Sequence, residues 1–312
     1  MESHFDVAII GGGPAGLAAA QVLGRQRRSV VLIDSHQQRN VAASSVHMLL
    51  GREGMTPAGL ISSGHQELAR FPTVSIFSAE VTKVLVRGSR VVVSTTTAHE
   101  ISADHLILAT GVVDELPAIP GIETAYGKWL FHCPLCDGFE LRDQPLVVIG
   151  GSEQAAFTAA YVQDRISRDV QLCCNGEPAF SPETRSKLDR DRIPILEEEL
   201  VAIDAQSGEL TLRLSNFTTV TYRAGFLSAG YRQRSLIPQE LGCEMTDDGR
   251  VGVDPFQRTS VPNVFAVGDM ARVASASGGM TFVATAIADG LTAAAFLDED
   301  IFARSWDSEG VP

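Results

Sequence analysis

The chain has 312 residues, of which 45% are hydrophobic and 20% are charged, a composition typical of a soluble globular protein with two domains of ordinary size. Its 38 acidic residues outnumber its 25 basic residues, and the formal net charge of −13 argues against nucleic acid or an anionic membrane surface as a partner. Five cysteines are too few for a disulfide framework. The N-terminus lacks the pattern of a secretion signal, and no run of about 18 apolar residues occurs, so we expect a cytoplasmic protein without a membrane span.

The N-terminal region has the pattern of a strand, a helix and a second strand. An apolar run precedes Gly11, Gly13 and Gly16, an Ala-rich helical stretch follows them, and the second apolar run ends at Asp34. In this context the glycines predict a dinucleotide site, because they permit a tight turn, close approach of a pyrophosphate and close packing of helix on strand. The helix N-terminus would supply N–H groups to the phosphates, and Asp34 would accept hydrogen bonds from a ribose.

The next part of the chain is rich in predicted strands. Segments typical of β-structure, separated by turn residues, occupy residues 73–101. A buried strand is predicted over residues 105–108 and runs into a turn at residues 109–111. Prolines and a glycine within residues 117–121 then predict a linker to another structural unit.

A second strand and helix follow between residues 145 and 174, joined by a glycine loop that departs from the dinucleotide pattern. Ser152 stands where the middle glycine is expected, so a Cβ crowds the approach of a pyrophosphate, and Glu153 adds a negative charge beside it. At the end of the next strand Asn175 is not the acid of an NAD site, and the first basic residue suited to a 2′-phosphate is Arg185. The pattern makes an NAD(P)H site doubtful and favours a degenerate one, although a working site stays open.

The C-terminal part returns to the first pattern. An apolar strand over residues 264–267 leads to Gly268 and Asp269, which are suited to hold a flavin chain, and residues 283–297 predict a buried helix. The two strand–helix units form a weak internal repeat. The sequence therefore predicts an α/β fold with two Rossmann-like (three-layer ββα) nucleotide-binding domains, the second inserted into the first.

Two cysteines separated by two residues, Cys133 and Cys136, lie between these nucleotide-binding units. Such a pair is a redox pair, half of a metal site or a coincidence, and no second pair or nearby histidines complete a zinc site, so we expect no metal. The position between two nucleotide units favours a redox disulfide. Asp137 and His132 flank the pair and are candidate proton carriers, with a capping role for Asp137 and a packing role for His132 as open alternatives.

Taken together, these motifs resemble the low-molecular-weight thioredoxin reductase family. The resemblance implies an FAD-binding domain of residues 1–114 and 240–312, an NAD(P)-type domain of residues 115–239 that carries the cysteine pair, and a homodimer. It also implies that Cys136 lies near the flavin, that Cys133 exchanges with the substrate, and that Asp137 is the acid that follows the pair. The residues implied to contact FAD are Gly11, Gly13, Pro14, Ala15, Gly16, Asp34, Arg39, Asn40, His47, Val81, Ala109, Thr110, Gly111, Gly268, Asp269, Phe282 and Val283.

The chain departs from thioredoxin reductases in ways that indicate a particular branch. The basic His-Arg-Arg cluster expected after the second strand–helix unit is absent, and the Arg-Gln pair expected before the final helix is replaced. The segment with Arg39, Asn40 and His47 is similar instead to dithiol oxidases that close disulfides in natural products of the gliotoxin, holomycin and romidepsin type. Some members of that branch work without NADP.

The resemblance therefore favours an FAD-dependent dithiol oxidase that forms a disulfide in a small dithiol substrate through the Cys133–Cys136 pair, with O2 as the terminal acceptor. An NAD(P)H-dependent thioredoxin or disulfide reductase, acting on a thioredoxin-like protein, is the alternative. A flavin-binding redox sensor without turnover is a third interpretation.

Overall fold

The computed structural model describes residues 3–88, 90–97, 100–206, 208–276 and 281–308. Two short 3-10 turns lie at Phe139–Leu141 and Gly268–Met270. The helices are α1 (Pro14–Arg25), α2 (Pro57–Leu68), α3 (Ile122–Ala125), α4 (Pro134–Asp137), α5 (Glu153–Arg165), α6 (Pro182–Arg190), α7 (Ile237–Glu240) and α8 (Val283–Ser308). The strands are β1 (Ser3–Ile10), β2 (Val30–Asp34), β3 (Val74–Ser78), β4 (Val81–Arg87), β5 (Arg90–Thr95), β6 (Glu100–Leu108), β7 (Val112–Glu115), β8 (Leu130–Phe131), β9 (Leu146–Ile149), β10 (Val170–Cys173), β11 (Ile195–Leu196), β12 (Leu200–Gln206), β13 (Glu209–Leu214), β14 (Thr219–Tyr222), β15 (Ala224–Leu227), β16 (Gly230–Gln233), β17 (Val251–Val253), β18 (Val264–Ala266) and β19 (Ala271–Val273).

The chain divides into two compact units. The first unit comprises Met1–Val41, Met55–Val113 and Arg232–Pro312, and the second unit comprises Ala42–Gly54 and Asp114–Tyr231. Each unit has its own main sheet, mixed in the first unit and parallel in the second, and its own pair of hydrophobic clusters. Among the described residues, no helix combines the length and the apolar content needed to cross a bilayer.

The first unit is built on a seven-stranded sheet with the order β3-β2-β1-β6-β5-β4, and β18 pairs with β6. The central strand β1 runs parallel to both β2 and β6. Because both faces of the second half of β1 are covered, its last four residues are all apolar: Val7 and Ile9 belong to one core cluster, and Ala8 and Ile10 belong to the other. On the first of these faces α1 and α8 pack closely, since a Cβ at Gly290 would collide with the backbone carbonyl of Ala15.

The second unit is built on a five-stranded parallel sheet with the order β11-β10-β9-β15-β8. Leu146 and Val148 of β9 pack in a cluster with residues of α5 and α6, whereas Val147 and Ile149 pack in a cluster with residues of β13. The antiparallel sheet β12-β13-β14 thus covers one face and the helices cover the other, which is a three-layer arrangement. The predicted α/β fold of two Rossmann-like units, with the second inserted into the first in sequence, is confirmed.

The limits of these units differ from the predicted domain limits at three places, of which the smallest is Asp114, grouped with the second unit. Residues 42–54 group with the second unit, where Ala42 packs against Gly127. Residues 232–239 group with the first unit, where the amide of Gln233 donates to the carbonyl groups of Gly249 and Met270. Linker composition does not reveal either assignment, because both are decided by contacts between residues distant in sequence.

Candidate active site

The loop between β1 and α1 has the shape of a phosphate cradle. Gly11 adopts φ +110°, and a Cβ there would collide with the carbonyl of Ala109, while a Cβ at Gly16 would collide with the carbonyl of Gly11. These two positions therefore require glycine. Gly13 faces open space within 4 Å and precedes α1, whose N-terminus has no capping hydrogen bond from a side chain in the described part of the chain. The first turn of α1 can therefore offer its N–H groups to an anion.

Asp34 lies at the carboxyl end of β2, directly beside this loop. Its side chain is buried, and a Cβ at Gly12 would come within 2.6 Å of its carboxyl group. Gln38 donates a 3.3 Å hydrogen bond to Asp34, and Nδ1 of His36 lies 3.2 Å from the same carboxylate oxygen. A carboxylate in this position suits the hydroxyl groups of a ribose.

Three further segments of the first unit carry predicted cofactor residues. Gly268 adopts φ +73° and begins a short 3-10 turn that includes Asp269. Arg39 donates a 2.9 Å hydrogen bond to Asp269. The turn after β6 is held to this region by Thr110, whose backbone N–H and hydroxyl lie 3.2 and 3.3 Å from the sulfur of Met270.

The remaining predicted contacts lie at three places. Val81 begins β4, and Asn40 directly follows Arg39. Val283 begins α8, and the N–H of Phe282 donates to the hydroxyl of Thr285 at 3.0 Å. Contact of these residues with FAD stays a prediction.

The cysteine pair begins a single helical turn in the second unit. Cys133 and Cys136 form a disulfide with Cα atoms 5.3 Å apart, and the N–H of Cys136 donates to Sγ of Cys133 at 3.1 Å. Cys133 is the N-cap of α4. The turn is accessible: neither cysteine is fully buried, and Leu135 between them is 44% exposed. An attacking thiolate can therefore reach the disulfide.

Asp137 has the properties of a proton carrier. Burial raises its pKa to about 6, while the charge of His47 lowers it and the charge of Glu140 raises it. A carboxyl group with such a pKa exchanges protons readily near neutral pH. His132, the other predicted carrier, has an exposed side chain.

His47 lies in the second unit, beside the cysteine turn. Its Nδ1 is 2.6 Å from Glu53 and 3.8 Å from Glu140. Burial lowers the pKa of His47, but the hydrogen bond to Glu53 and the charges of Glu140, Glu53 and Asp137 raise it by more, so the pKa lies above 6.5. The sequence predicted His47 as an FAD contact and gave no role to the two glutamates. The only sequence signal for a role of either glutamate is the spacing of Glu140, which follows Asp137 by three residues and could therefore lie on the same side of a helical turn.

The second glycine loop is closed by its own side chains. Ser152 caps α5, since its hydroxyl accepts a 3.2 Å hydrogen bond from the N–H of Ala155. The Glu153 carboxylate accepts 2.6 Å hydrogen bonds from the N–H of Ser181 and the hydroxyl of Thr184. The bond from Thr184, followed by that from Ser181, lowers the pKa of Glu153 and keeps a negative charge at this helix start.

The residue at the position where a ribose would be bound, Asn175, makes a hydrogen bond within the chain. Asn175, at the end of β10, accepts a 2.7 Å hydrogen bond from the N–H of Leu200 and so holds the start of β12. The side chains that would meet the pyrophosphate and ribose of a nicotinamide nucleotide are thus engaged in hydrogen bonds within the chain.

The other three cysteines are buried. They are Cys173, Cys174 and Cys243. Burial raises the pKa of the Cys173 and Cys174 thiols to about 11, so neither forms a reactive thiolate at neutral pH. Within the described residues, no group of three His, Cys, Asp or Glu side chains could hold a metal ion.

A redox disulfide in one α/β unit and a dinucleotide cradle in another define a flavin-type disulfide oxidoreductase. The chain belongs to the pyridine nucleotide-disulphide oxidoreductase family, which matches residues 5–290. This membership makes the protein an oxidoreductase and implies FAD as its cofactor. The loop from Gly11 to Gly16 and the carboxylate of Asp34 fit the pyrophosphate and a ribose of FAD.

Individual relatives agree with this assignment. The chain is 30% identical to a probable thioredoxin reductase of Arthroderma benhamiae, with 89% of this chain and 76% of the relative covered. It is 30% identical to the thioredoxin reductase tcpT of Claviceps purpurea, with 85% and 86% covered. It is 32% identical to the solved structure of HlmI, with a TM-score of 0.90 and 98% and 95% covered. The resemblance to thioredoxin reductase-like flavoenzymes is confirmed.

Proposed function

We propose that the protein is an FAD-dependent dithiol oxidase. It forms a disulfide in a small dithiol substrate through the Cys133–Cys136 disulfide, and O2 is the terminal electron acceptor. The observation that carries the proposal is the contrast between the two glycine loops. The loop at Gly13 is open to a phosphate, whereas the loop at Ser152 is capped by its own hydroxyl.

The capped loop disfavours a nicotinamide nucleotide for two physical reasons. A pyrophosphate that approached α5 would have to displace Ser152 from the N–H of Ala155. It would also meet the ionised carboxylate of Glu153, which Ser181 and Thr184 hold in place. Repulsion between like charges and the loss of a helix cap both oppose binding. Electrons from a thiol substrate then take the place of electrons from NAD(P)H.

The thiol chemistry follows from the accessible disulfide. A substrate thiolate attacks Sγ of Cys133, the bond to Cys136 breaks, and Cys136 leaves as a thiolate. The second substrate thiolate attacks the substrate sulfur of the mixed disulfide, releases Cys133 and closes the product disulfide. Because this second attack is intramolecular, it is favoured over attack by a separate thiol.

The count of protons and electrons in this exchange shows why a proton acceptor such as Asp137 is needed. The substrate loses two electrons and two protons, and both electrons remain on the cysteine pair. One proton ends on Cys133, the other on Asp137, and Cys136 remains a thiolate. A carboxyl group with a pKa of about 6 is mostly ionised at pH 7, so it can accept this proton. When bound, FAD supplies two-electron acceptance from the cysteine pair and delivery of those electrons to O2, which gives hydrogen peroxide.

One observation favours a second candidate function, an NAD(P)H-dependent thioredoxin or disulfide reductase. Relatives such as tcpT are named thioredoxin reductases, and the second unit keeps the parallel sheet and a Gly150 at φ +143°, a conformation that favours glycine. In that reaction electrons would flow from the nucleotide to a thioredoxin-like protein. Under either function we expect a homodimer in the cytoplasm, and sedimentation of the holoenzyme tests its oligomeric state.

Anaerobic reduction of the yellow holoenzyme separates the two functions. We expect dithiothreitol to bleach the flavin absorbance, and we expect hydrogen peroxide to form when air is readmitted. We expect NADPH and NADH to leave the absorbance unchanged over the same time. Rapid bleaching by either nucleotide contradicts the oxidase function and supports the reductase. Bleaching by none of the three supports a flavin-binding sensor without turnover.

A further inference from the structure

The segment of residues 42–54 places an imidazole beside the redox turn. Within it, the N–H of Gly54 donates to the carbonyl of Val46 at 3.0 Å. Glu53 holds the histidine of this segment with both carboxylate oxygens: one lies 2.6 Å from Nδ1 of His47, and the other accepts a 2.9 Å hydrogen bond from the N–H of Met48. Met48 adopts φ +59°, a conformation unfavourable for a residue with a side chain. The side chain of His47 is 15% exposed, whereas that of Glu53 is 64% exposed. The imidazole is therefore held in one orientation facing inward.

That orientation directs His47 toward the acids of the cysteine turn. Glu140 lies 3.8 Å from Nδ1 of His47 and follows Asp137 by three residues. The titratable groups that interact with the imidazole are Glu53 from its own segment, Glu140 from the 3-10 turn and Asp137 from α4. Two carboxyl groups, from two segments of the second unit, thus lie within 4 Å of one ring, and the charge of a third acts on it.

These four groups influence one another's protonation. The carboxyl groups favour the cationic form of His47, although burial opposes it. The cation in turn lowers the pKa of Asp137, against the effects of burial and of Glu140. Removing the cation would therefore keep Asp137 protonated up to a higher pH.

We propose that His47, held by Glu53, is a positioning residue for thiol–disulfide exchange that keeps Asp137 ionised and ready to accept the substrate's proton. This inference rests on the proposed function, because it concerns protons released by a dithiol at Cys133–Cys136. In this role His47 acts through the charge of Asp137. The consequence is confined to the pH range in which Asp137 titrates.

The test is the rate at which dithiothreitol reduces the Cys133–Cys136 disulfide of the anaerobic holoenzyme. Samples are quenched at intervals, alkylated and analysed by mass spectrometry for new thiols at pH values between about 5 and 9. The variants are His47→Gln, which removes the charge, and Glu53→Gln, which weakens the hold on the ring. His4→Gln is the matched control, since His4 pairs with Asp104 at 3.2 Å in the first unit. FAD content and melting temperature establish that each variant folds.

The rates are compared as the ratio of variant to wild type at each pH. In this ratio the pH-dependent thiolate fraction of dithiothreitol cancels, because it is the same for both proteins. We expect His47→Gln to be slower by about 3- to 10-fold near pH 6 and to approach the wild-type rate at alkaline pH. For Glu53→Gln we expect a smaller decrease in rate with the same pH dependence. For His4→Gln we expect a rate ratio close to one at every pH. If His47→Gln fails to fold, the pH dependence of the rate ratio for Glu53→Gln tests the positioning role in its place.

Two outcomes overturn these conclusions, and they differ. A loss in His47→Gln that is equal at every pH, or no loss at all, contradicts the positioning role and leaves the oxidase function standing. A wild-type disulfide that dithiothreitol does not reduce at any pH contradicts the proposed function, and the role of His47 falls with it.

Discussion

Arg39 donates a 2.9 Å hydrogen bond to the carboxylate of Asp269, which joins two residues 230 positions apart in sequence within the first unit. Both side chains are largely buried, with 17% and 23% of their surfaces exposed. The guanidinium also donates to the hydroxyl of Thr281 at 3.3 Å. Arg39 therefore fixes the loop after β2 to the Gly268–Asp269 turn, and both of these segments were predicted to contact FAD.

This ion pair predicts a change in cofactor affinity. We expect Arg39→Met to bind FAD about 10- to 100-fold more weakly, because a charge-assisted hydrogen bond that orders Asp269 is lost. Fluorescence titration of the apoprotein with FAD measures the affinity. Arg28→Met is the matched control, since Arg28 pairs with Asp298 at 2.6 Å in the same unit and was not predicted to contact the cofactor. Equal FAD affinity in the two variants would rule out the role of Arg39.

The accessible disulfide predicts a specific loss of turnover. We expect Cys133→Ser to retain bound FAD and to lose dithiol oxidation, because Cys133 carries the sulfur that an incoming thiolate attacks. Oxygen consumption with a dithiol measures the reaction. The control is Cys243→Ser, at a buried thiol that we expect to take no part in exchange. Unchanged oxygen consumption in Cys133→Ser would show that electrons leave the substrate by another route.

The partly buried carboxyl group of Asp137 predicts a gain in stability when its charge is removed. Its pKa is raised from 3.8 to about 6, so the folded protein binds this proton more tightly than the unfolded chain. Ionisation of Asp137 therefore lowers the free energy of unfolding by at most about 3 kcal/mol as the pH rises from about 4 to about 6. Above that range this decrease stays constant.

We therefore expect Asp137→Asn to melt at a higher temperature than the wild type at pH 7 and at the same temperature below about pH 4, where both side chains are neutral. Its thiol exchange should be slower because the proton acceptor is missing. Asp289→Asn is the control, since burial first, and then the charge of Asp269, also raise the pKa of Asp289 to about 6. That variant should gain stability with a normal rate of disulfide reduction. A lower melting temperature for Asp137→Asn at pH 7 would show that its charge is compensated.

The closed second loop predicts a gain of binding. We expect the double variant Ser152→Gly and Glu153→Ala to bind NADH measurably, because the helix N-terminus loses its cap and its neighbouring negative charge. Quenching of protein fluorescence by NADH measures the binding, and the wild type should show none. Glu183→Ala, which removes an acid paired with Lys187 on α6, is the control. Tight binding of NADH to the wild type would contradict the closure of this loop.

Much of the fold was predictable because its signals are local. The apolar run of β1, the glycines at 11 and 16 and the helix that follows lie within one short stretch, and their steric requirements do not depend on the rest of the chain. The capped loop was predictable for the same reason, since Ser152 and Glu153 interrupt a fixed pattern. The sequence indicated the charge of Glu153 but not its partners, because Thr184 lies in the first turn of α6 and Ser181 is the N-cap of that helix.

The sequence by itself determined the two strand–helix units, the positions of the cysteine pair and Asp137, and the difference between an open and a closed glycine loop. Only the tertiary structure decided that Arg39 meets Asp269 and that His47 meets Glu140. The physical reason is that side chains distant in sequence come within hydrogen-bonding or electrostatic range only after the sheets have formed. A single sequence records the residues of such a pair but not their separation in space.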